Sequence, residues 1–232
     1  MDGGAGAVGI KFGIEVLKRT LPSGLAWVKT YVKGVNLLIL GPSNSGKTTF
    51  SDYLIYGIFN PESQHITTVE ETPSPTFEIK LGKGEALKLN VRKSLDEPGQ
   101  VGPMEHANLV KLRKPHAILL VLDVSQPIEE NKKWLLEFCE HFERVLQETG
   151  PLKKKIKSII VVLNKRDKVA NSAHYSSRSK AVRKILTSSL GGVLGAHRAK
   201  AIPVLPCVSV LSDGHGTAQI DAVISTFAKQ VR

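Results

Sequence analysis

The chain has 232 residues, of which 41% are hydrophobic and 23% charged. That balance excludes a disordered chain, and no apolar run approaches the length of a membrane span. The net charge of +11 and the pI near 9.6 leave nucleic acid or an anionic surface open as partners. The basic residues, however, are scattered over Lys11, Lys18, Arg19, Lys29 and Lys33, then Lys153, Lys154, Lys155 and Lys157, then Arg178, Lys180, Arg183 and Lys184. No stacking aromatics interleave with the later clusters, which argues against nucleic acid and for a solvated basic face.

In chain order, residues 8–33 come first. Ile10, Ile14, Leu17 and Leu21 recur at helical spacing, as do Val28 and Val32, with Lys11, Lys18 and Arg19 off the first stripe. Pro22, Ser23 and Gly24 divide the segment into two short helices. The bland expectation is an extension packed on the following domain. The sharper one is a basic amphipathic element that meets an anionic membrane or a partner.

Residues 35–41, VNLLILG, predict a buried strand, and KTTFSDYLIYGIF (47–59) a helix after it. The stretch 60–76 has no period and reads as a long loop, of the kind that is functional or mobile. FEIKL and ALKLNVRKSL flank GKGE and predict a hairpin. HAILLVLDVS (116–125) and SIIVVLN (158–164) are continuous apolar strands, suited to a sheet covered on both faces. Between them, Trp134, Leu135, Phe138, Phe142, Val145 and Leu146 form a helical stripe. AIPVLPCVSVL (201–211) predicts a last strand, which Pro203 and Pro206 confine to an edge or irregular position. A closing helix carries Ile220, Val223, Ile224 and Phe227 on one face. Alternating β and α elements with buried strands imply a three-layer α/β domain. Cys139 and Cys207 have no metal spacing and sit among apolar neighbours, as buried reduced thiols do.

Three stretches carry chemistry. Gly41, four residues, then Gly46-Lys47-Thr48 is the phosphate-loop spacing, lying between a predicted strand and a predicted helix. The backbone of Ser43, Asn44, Ser45, Gly46, Lys47, Thr48 and Thr49 would cradle phosphate oxygens at the helix N-terminus. Lys47 would reach the β- and γ-phosphates, and the Thr48 hydroxyl would ligate Mg²⁺. The second stretch is NKRD, 164–167, at a strand's carboxyl end, where α/β sheets bind ligands. The Asp167 carboxylate can accept from both the N1–H and the 2-amino group of guanine, which adenine cannot offer. Asn164 would brace the loops, and the Lys165 stem would cover the base face. Third, LDEPGQ at 95–100 offers Asp96 to Mg²⁺ through a water, the Gly99 N–H to a γ-phosphate, and Gln100 to an attacking water.

With these residues the chain resembles a Ras-like small GTPase of the translation-factor-related class. GPSNSGKTT and DEPGQ are most similar to the Arf-like branch and to prokaryotic Ras-like proteins. The resemblance implies a P-loop NTPase domain over 35–232, with a mostly parallel central sheet and one antiparallel edge hairpin. Residues 1–34 would be an N-terminal amphipathic helical extension. The resemblance also makes Ser209, Val210 and Leu211 the last nucleotide motif, with the Val210 N–H on the guanine carbonyl oxygen. A switch-loop threonine would ligate Mg²⁺: Thr76 matches best, with Thr67, Thr68 and Thr72 as alternatives. GTP or GDP with Mg²⁺ is thus the implied cofactor set, with effectors and regulators meeting residues 60–76 and 99–110. Ser43 stands where Ras proteins carry glycine, which puts activation by an inserted arginine in doubt. Asp2 follows the initiator methionine and the end reads AKQVR, so neither myristoylation nor prenylation is supported. With no signal-peptide pattern at the start, the expected location is the cytoplasm, peripheral at a membrane if 8–33 binds one. Alternatives to a hydrolysing switch are a GTP-binding assembly subunit with negligible turnover and a nucleic-acid-associated GTPase.

Overall fold

A computed structural model describes residues 35–56, 76–80, 86–93, 101–169, 171–208 and 217–231. The elements in order are β1 (Val35–Leu40), α1 (Lys47–Tyr56), β2 (Thr76–Lys80), β3 (Ala86–Lys93), α2 (Pro103–Arg113), β4 (Ala117–Asp123), α3 (Ile128–Glu148), α4 (Gly150–Lys155), β5 (Ser158–Asn164), α5 (Ser172–Leu194), α6 (Ala196–Lys200), β6 (Val204–Pro206) and α7 (Thr217–Val231). The strands form one sheet in the order β2-β3-β1-β4-β5-β6. β3, β1, β4, β5 and β6 run parallel, and β2 pairs antiparallel with β3. The chain between β2 and β3, 81–85, lies outside the described residues.

The period of two along each strand explains the layering. In β1, Leu38 and Leu40 face one core cluster while Leu37 and Ile39 face the other. In β4, Ile118, Leu120 and Leu122 go to the first, and Ala117, Leu119 and Val121 to the second. Helices α2, α3 and α5 close the first side with Ala107, Val110, Leu135, Phe138, Phe142, Val182, Leu186 and Leu190. Phe50 of α1 and Ile220, Val223, Ile224 and Phe227 of α7 close the second. The central strands are therefore buried along their whole length, which is why they read as unbroken apolar runs.

The structure refines one expectation and adds one element. Of the last strand, expected over 201–211, the described residues 201–208 form a strand at Val204–Pro206, at the sheet edge, and 209–211 lie outside the described residues. Pro206 has no N–H for a ladder, and Arg183 of α5 donates to the Val204 carbonyl at 3.2 Å. Residues 172–194, to which no element is assigned above, form the 23-residue helix α5, which buries Val182, Ile185, Leu186, Leu190, Val193 and Leu194. Its start is capped: the Asn171 side chain accepts from the Ala173 N–H at 2.7 Å. Both cysteines are free and buried, and burial pushes each thiol up to about 12.

Sheet order decides where a ligand can sit. β1 lies between β3 and β4, so the chain departs to opposite sides of β1, and the crevice opens beyond its carboxyl end. The loops after β1, β4 and β5 meet there.

Candidate functional site

The loop 41–46 leaves β1 and enters α1. Gly41 has φ +151°, and a Cβ there would stand 2.1 Å from the Val121 carbonyl oxygen on the neighbouring strand. Any side chain would push the loop off the sheet. Asn44 at φ 59° and Gly46 at φ 94° take the left-handed conformation that winds a loop into a concave turn of N–H groups. The Ser45 N–H closes the turn on the Pro42 carbonyl at 3.3 Å. The first helical bond runs from the Phe50 N–H to the Gly46 carbonyl at 2.9 Å. The N–H groups just before Phe50 are therefore those that a helix cannot satisfy internally.

Lys47 is buried, and its ammonium donates to the Pro42 carbonyl at 2.8 Å, folded back across the loop. The charge is thereby held at the concave side. The Ser45 Oγ is fully buried without a hydrogen-bond partner, beside Gly41. Ser43 and Asn44 are exposed, while Thr48 and Thr49 are half-buried on the first turn of α1.

The second loop follows β5. Asn164 is fully buried, and its Nδ2 donates to the Ser45 carbonyl at 2.7 Å. The expected bracing role is a direct bond between the two loops. Lys165 takes the left-handed conformation, φ 59°, rare for a non-glycine residue. A single 3₁₀ turn, Arg166–Lys168, then carries Asp167 on its exposed side. Backbone bonds seat the turn against the loop after β6: Arg166 N–H to the Cys207 carbonyl at 3.1 Å, and Cys207 N–H to the Leu163 carbonyl at 2.9 Å. The Arg166 guanidinium lies 4.8 Å over the Tyr175 ring of α5 and donates to the Val169 carbonyl.

A third contributor has no counterpart in the motifs: Asp123. It ends β4 in register with Asn164 and is almost wholly buried. Lys165 Nζ reaches its Oδ2 at 2.7 Å, while the Ser125 N–H and Oγ reach its Oδ1 at 2.8 and 2.6 Å. Burial alone would raise this carboxyl's pKa. The Lys165 ammonium and the two Ser125 hydrogen bonds outweigh it and hold the pKa below the ordinary value. The signal in the sequence is an aspartate closing an otherwise apolar buried strand.

Asp96, Gly99, Gln100, Ser209, Val210, Leu211 and residues 60–75 lie outside the described residues, as do 8–33. Thr76 is the first residue of β2, opposite Asn90 of β3. Of the expected second switch segment, 103–110 form most of helix α2. Gly102 stands at its N-cap and Pro103 at its first position.

Gly41 to Thr49 and Asn164 to Asp167 thus form one site at the carboxyl end of the sheet, and that fold and site define a P-loop nucleotide-binding domain. Comparison with known proteins gives the family. Residues 36–165, more than half of the chain and the span from β1 to Lys165, match the family described as 50S ribosome-binding GTPase, and the chain belongs to it. It is accordingly a GTPase-family domain that binds guanine nucleotide. Among solved structures it is similar to the apo form of translation elongation factor SelB from Methanococcus maripaludis, at 22% identity and a TM-score of 0.49, over 85% of this chain. The similarity spans 34% of that protein's length. No curated protein matches the chain.

Proposed function

We propose that this chain is a GTP-dependent switch that hydrolyses GTP slowly and presents its switch segments to a partner protein. The observation that carries the reading is the 2.7 Å bond from Asn164 Nδ2 to the Ser45 carbonyl. It couples a phosphate-holding loop to a base-reading loop, so that one ligand spans both. Lys47 and the N–H groups of the loop would neutralise and orient the β- and γ-phosphates. Asp167 would accept from the guanine edge, and Gln100 would orient the attacking water. The hard oxygen of Thr48 fits Mg²⁺, with Thr76 and Asp96 as further ligands. The ion would supply charge neutralisation of the phosphate oxygens. No arginine of the chain is assigned to the reacting phosphate, so turnover is expected on the order of 10⁻⁴ to 10⁻³ per second.

The test is calorimetry with GTP, GDP and ATP in Mg²⁺, followed by single-turnover phosphate release. GTP and GDP should bind tightly and ATP several orders of magnitude more weakly. ATP within tenfold of GTP sinks the base reading. Tight GTP binding with no phosphate release favours the assembly-subunit reading instead.

The family's description favours a second reading, in which the partner is the large ribosomal subunit. The net charge of +11 supports it. Cosedimentation with 50S subunits in GDP and in a non-hydrolysable GTP analogue, at two salt concentrations, tests it. No cosedimentation in either nucleotide state rules it out.

A further inference from the structure

Lys165 is the residue whose stem would cover the base, and within its own loop its carbonyl accepts from the Lys168 N–H at 3.0 Å. Its side chain is held by a chain of contacts from outside the motif. Lys165 Nζ is anchored at 2.7 Å on Asp123 Oδ2. Asp123 cannot yield. Its Oδ1 is taken by the N–H and Oγ of Ser125, and its carbonyl accepts from the buried Asn131 Nδ2 at 2.7 Å. Ser125 is held in turn, because Arg178 of α5 donates to the carbonyls on either side of it, Val124 at 2.6 Å and Gln126. The route from α5 to the base loop therefore consists of three consecutive polar links, all at hydrogen-bond distance.

We propose that Asp123 is the positioning residue of the guanine pocket, holding Lys165 in its left-handed conformation as the cover of the base, and that Arg178 locks Asp123 through the loop 124–126. Three features point this way. Asp123 lies beside Asn164 in the β4–β5 register, so its carboxylate emerges where the base loop begins. Lys165 stands at φ 59°, a conformation that persists in a lysine only when surrounding contacts over-determine it. Finally, a buried carboxylate needs one cation to stay charged, and the cation here is the base-loop lysine itself rather than a neighbour in the core. Ion pairing thus orders the very side chain that must lie along the ligand. The remaining half-exposed stem is left to meet the base.

This inference rests on the guanine-nucleotide reading of the same site, and its test separates the two. The full chain, with Mg²⁺, is loaded with a fluorescent N-methylanthraniloyl-GDP. Release rate and affinity are measured for wild type, Asp123→Asn, Lys165→Ala and the double variant, with thermal melting of each. Each single change should speed release roughly ten- to hundredfold. The double variant should release no faster than Lys165→Ala alone, because Asp123 acts through Lys165. If the two effects multiply, Asp123 supports the fold only and the proposal is overturned, while the guanine reading stands. Wild type that fails to bind the analogue overturns both. Should Asp123→Asn give no cooperative melt, the cycle is run with Arg178→Gln, a half-buried position outside the core. There, release several-fold faster and non-multiplicative with Lys165→Ala supports the proposal; unchanged or multiplicative release overturns it.

Discussion

Asn164 and Ser45 stand 119 residues apart in sequence and are joined by one hydrogen bond of 2.7 Å, amide to carbonyl, in a wholly buried position. The bond makes the base loop and the phosphate loop one mechanical unit. Asn164→Ala leaves the Ser45 carbonyl buried without this donor, which should cost about 1–3 kcal/mol of stability. It should also weaken GTP and GDP together by at least tenfold, since neither loop is then held against the other. Urea unfolding and calorimetry on the same preparations check it. A stability loss with unchanged nucleotide affinity would show that the loops hold their places independently.

Asp167 sits on an exposed 3₁₀ turn whose backbone is tied to Cys207 and Lys165, so its side chain, proposed to read the base edge, does not carry the fold. Asp167→Asn should leave the melting temperature nearly unchanged and move preference from guanine toward xanthine nucleotides. The reason is that the amide reverses one donor–acceptor pair. Competition between GDP and XDP for a single labelled nucleotide reads the exchange directly. Equal loss of both would mean that the base edge lies elsewhere.

Lys47 and Gln100 should separate binding from turnover. The Lys47 ammonium is buried inside the phosphate loop, on the Pro42 carbonyl. Lys47→Ala should therefore abolish tight binding of both nucleotides. Gln100→Leu should keep GTP affinity and lose most single-turnover hydrolysis, since its proposed role is confined to orienting the water. Unchanged hydrolysis in that variant removes Gln100 from the mechanism.

His116 sets a pH dependence at the opposite end of the sheet. Its Nδ1 accepts from the Asn36 N–H at 3.1 Å, which requires an unprotonated Nδ1. Burial, then the charges of Lys155 and Lys157, lower its pKa below 6.5. The unfolded chain therefore takes up a proton that the folded one refuses. Stability should fall as pH drops below about 6.5, and the penalty is complete once pH passes below the lowered folded value. Denaturant midpoints from pH 5 to 7.5 should show this slope, and His116→Asn should flatten part of it. A variant with the wild-type slope would place the dependence on other histidines.

Much of this protein was legible before any coordinates. The runs 35–40, 117–123 and 158–164 announce buried parallel strands because both of their faces are covered, and alternation along them sorts residues into the two core layers. Gly41-to-Thr48 and Asn164-to-Asp167 were legible for a different reason. Binding a phosphate or a base edge demands particular residue types at fixed local spacing, and local spacing is what a sequence displays. What only the tertiary structure decided is which groups meet across distance. Asp123 reads as the end of an apolar strand until the β4–β5 register sets it beside Asn164 and under Lys165. Helix α5 begins with ten mostly polar residues, so periodicity fails there. Its first turns are held by Asn171 at the cap and by the contacts of Tyr175 and Arg178. Periodicity records which faces are buried against apolar neighbours, whereas a buried polar contact depends on which strand ends lie side by side, and sheet order alone determines that.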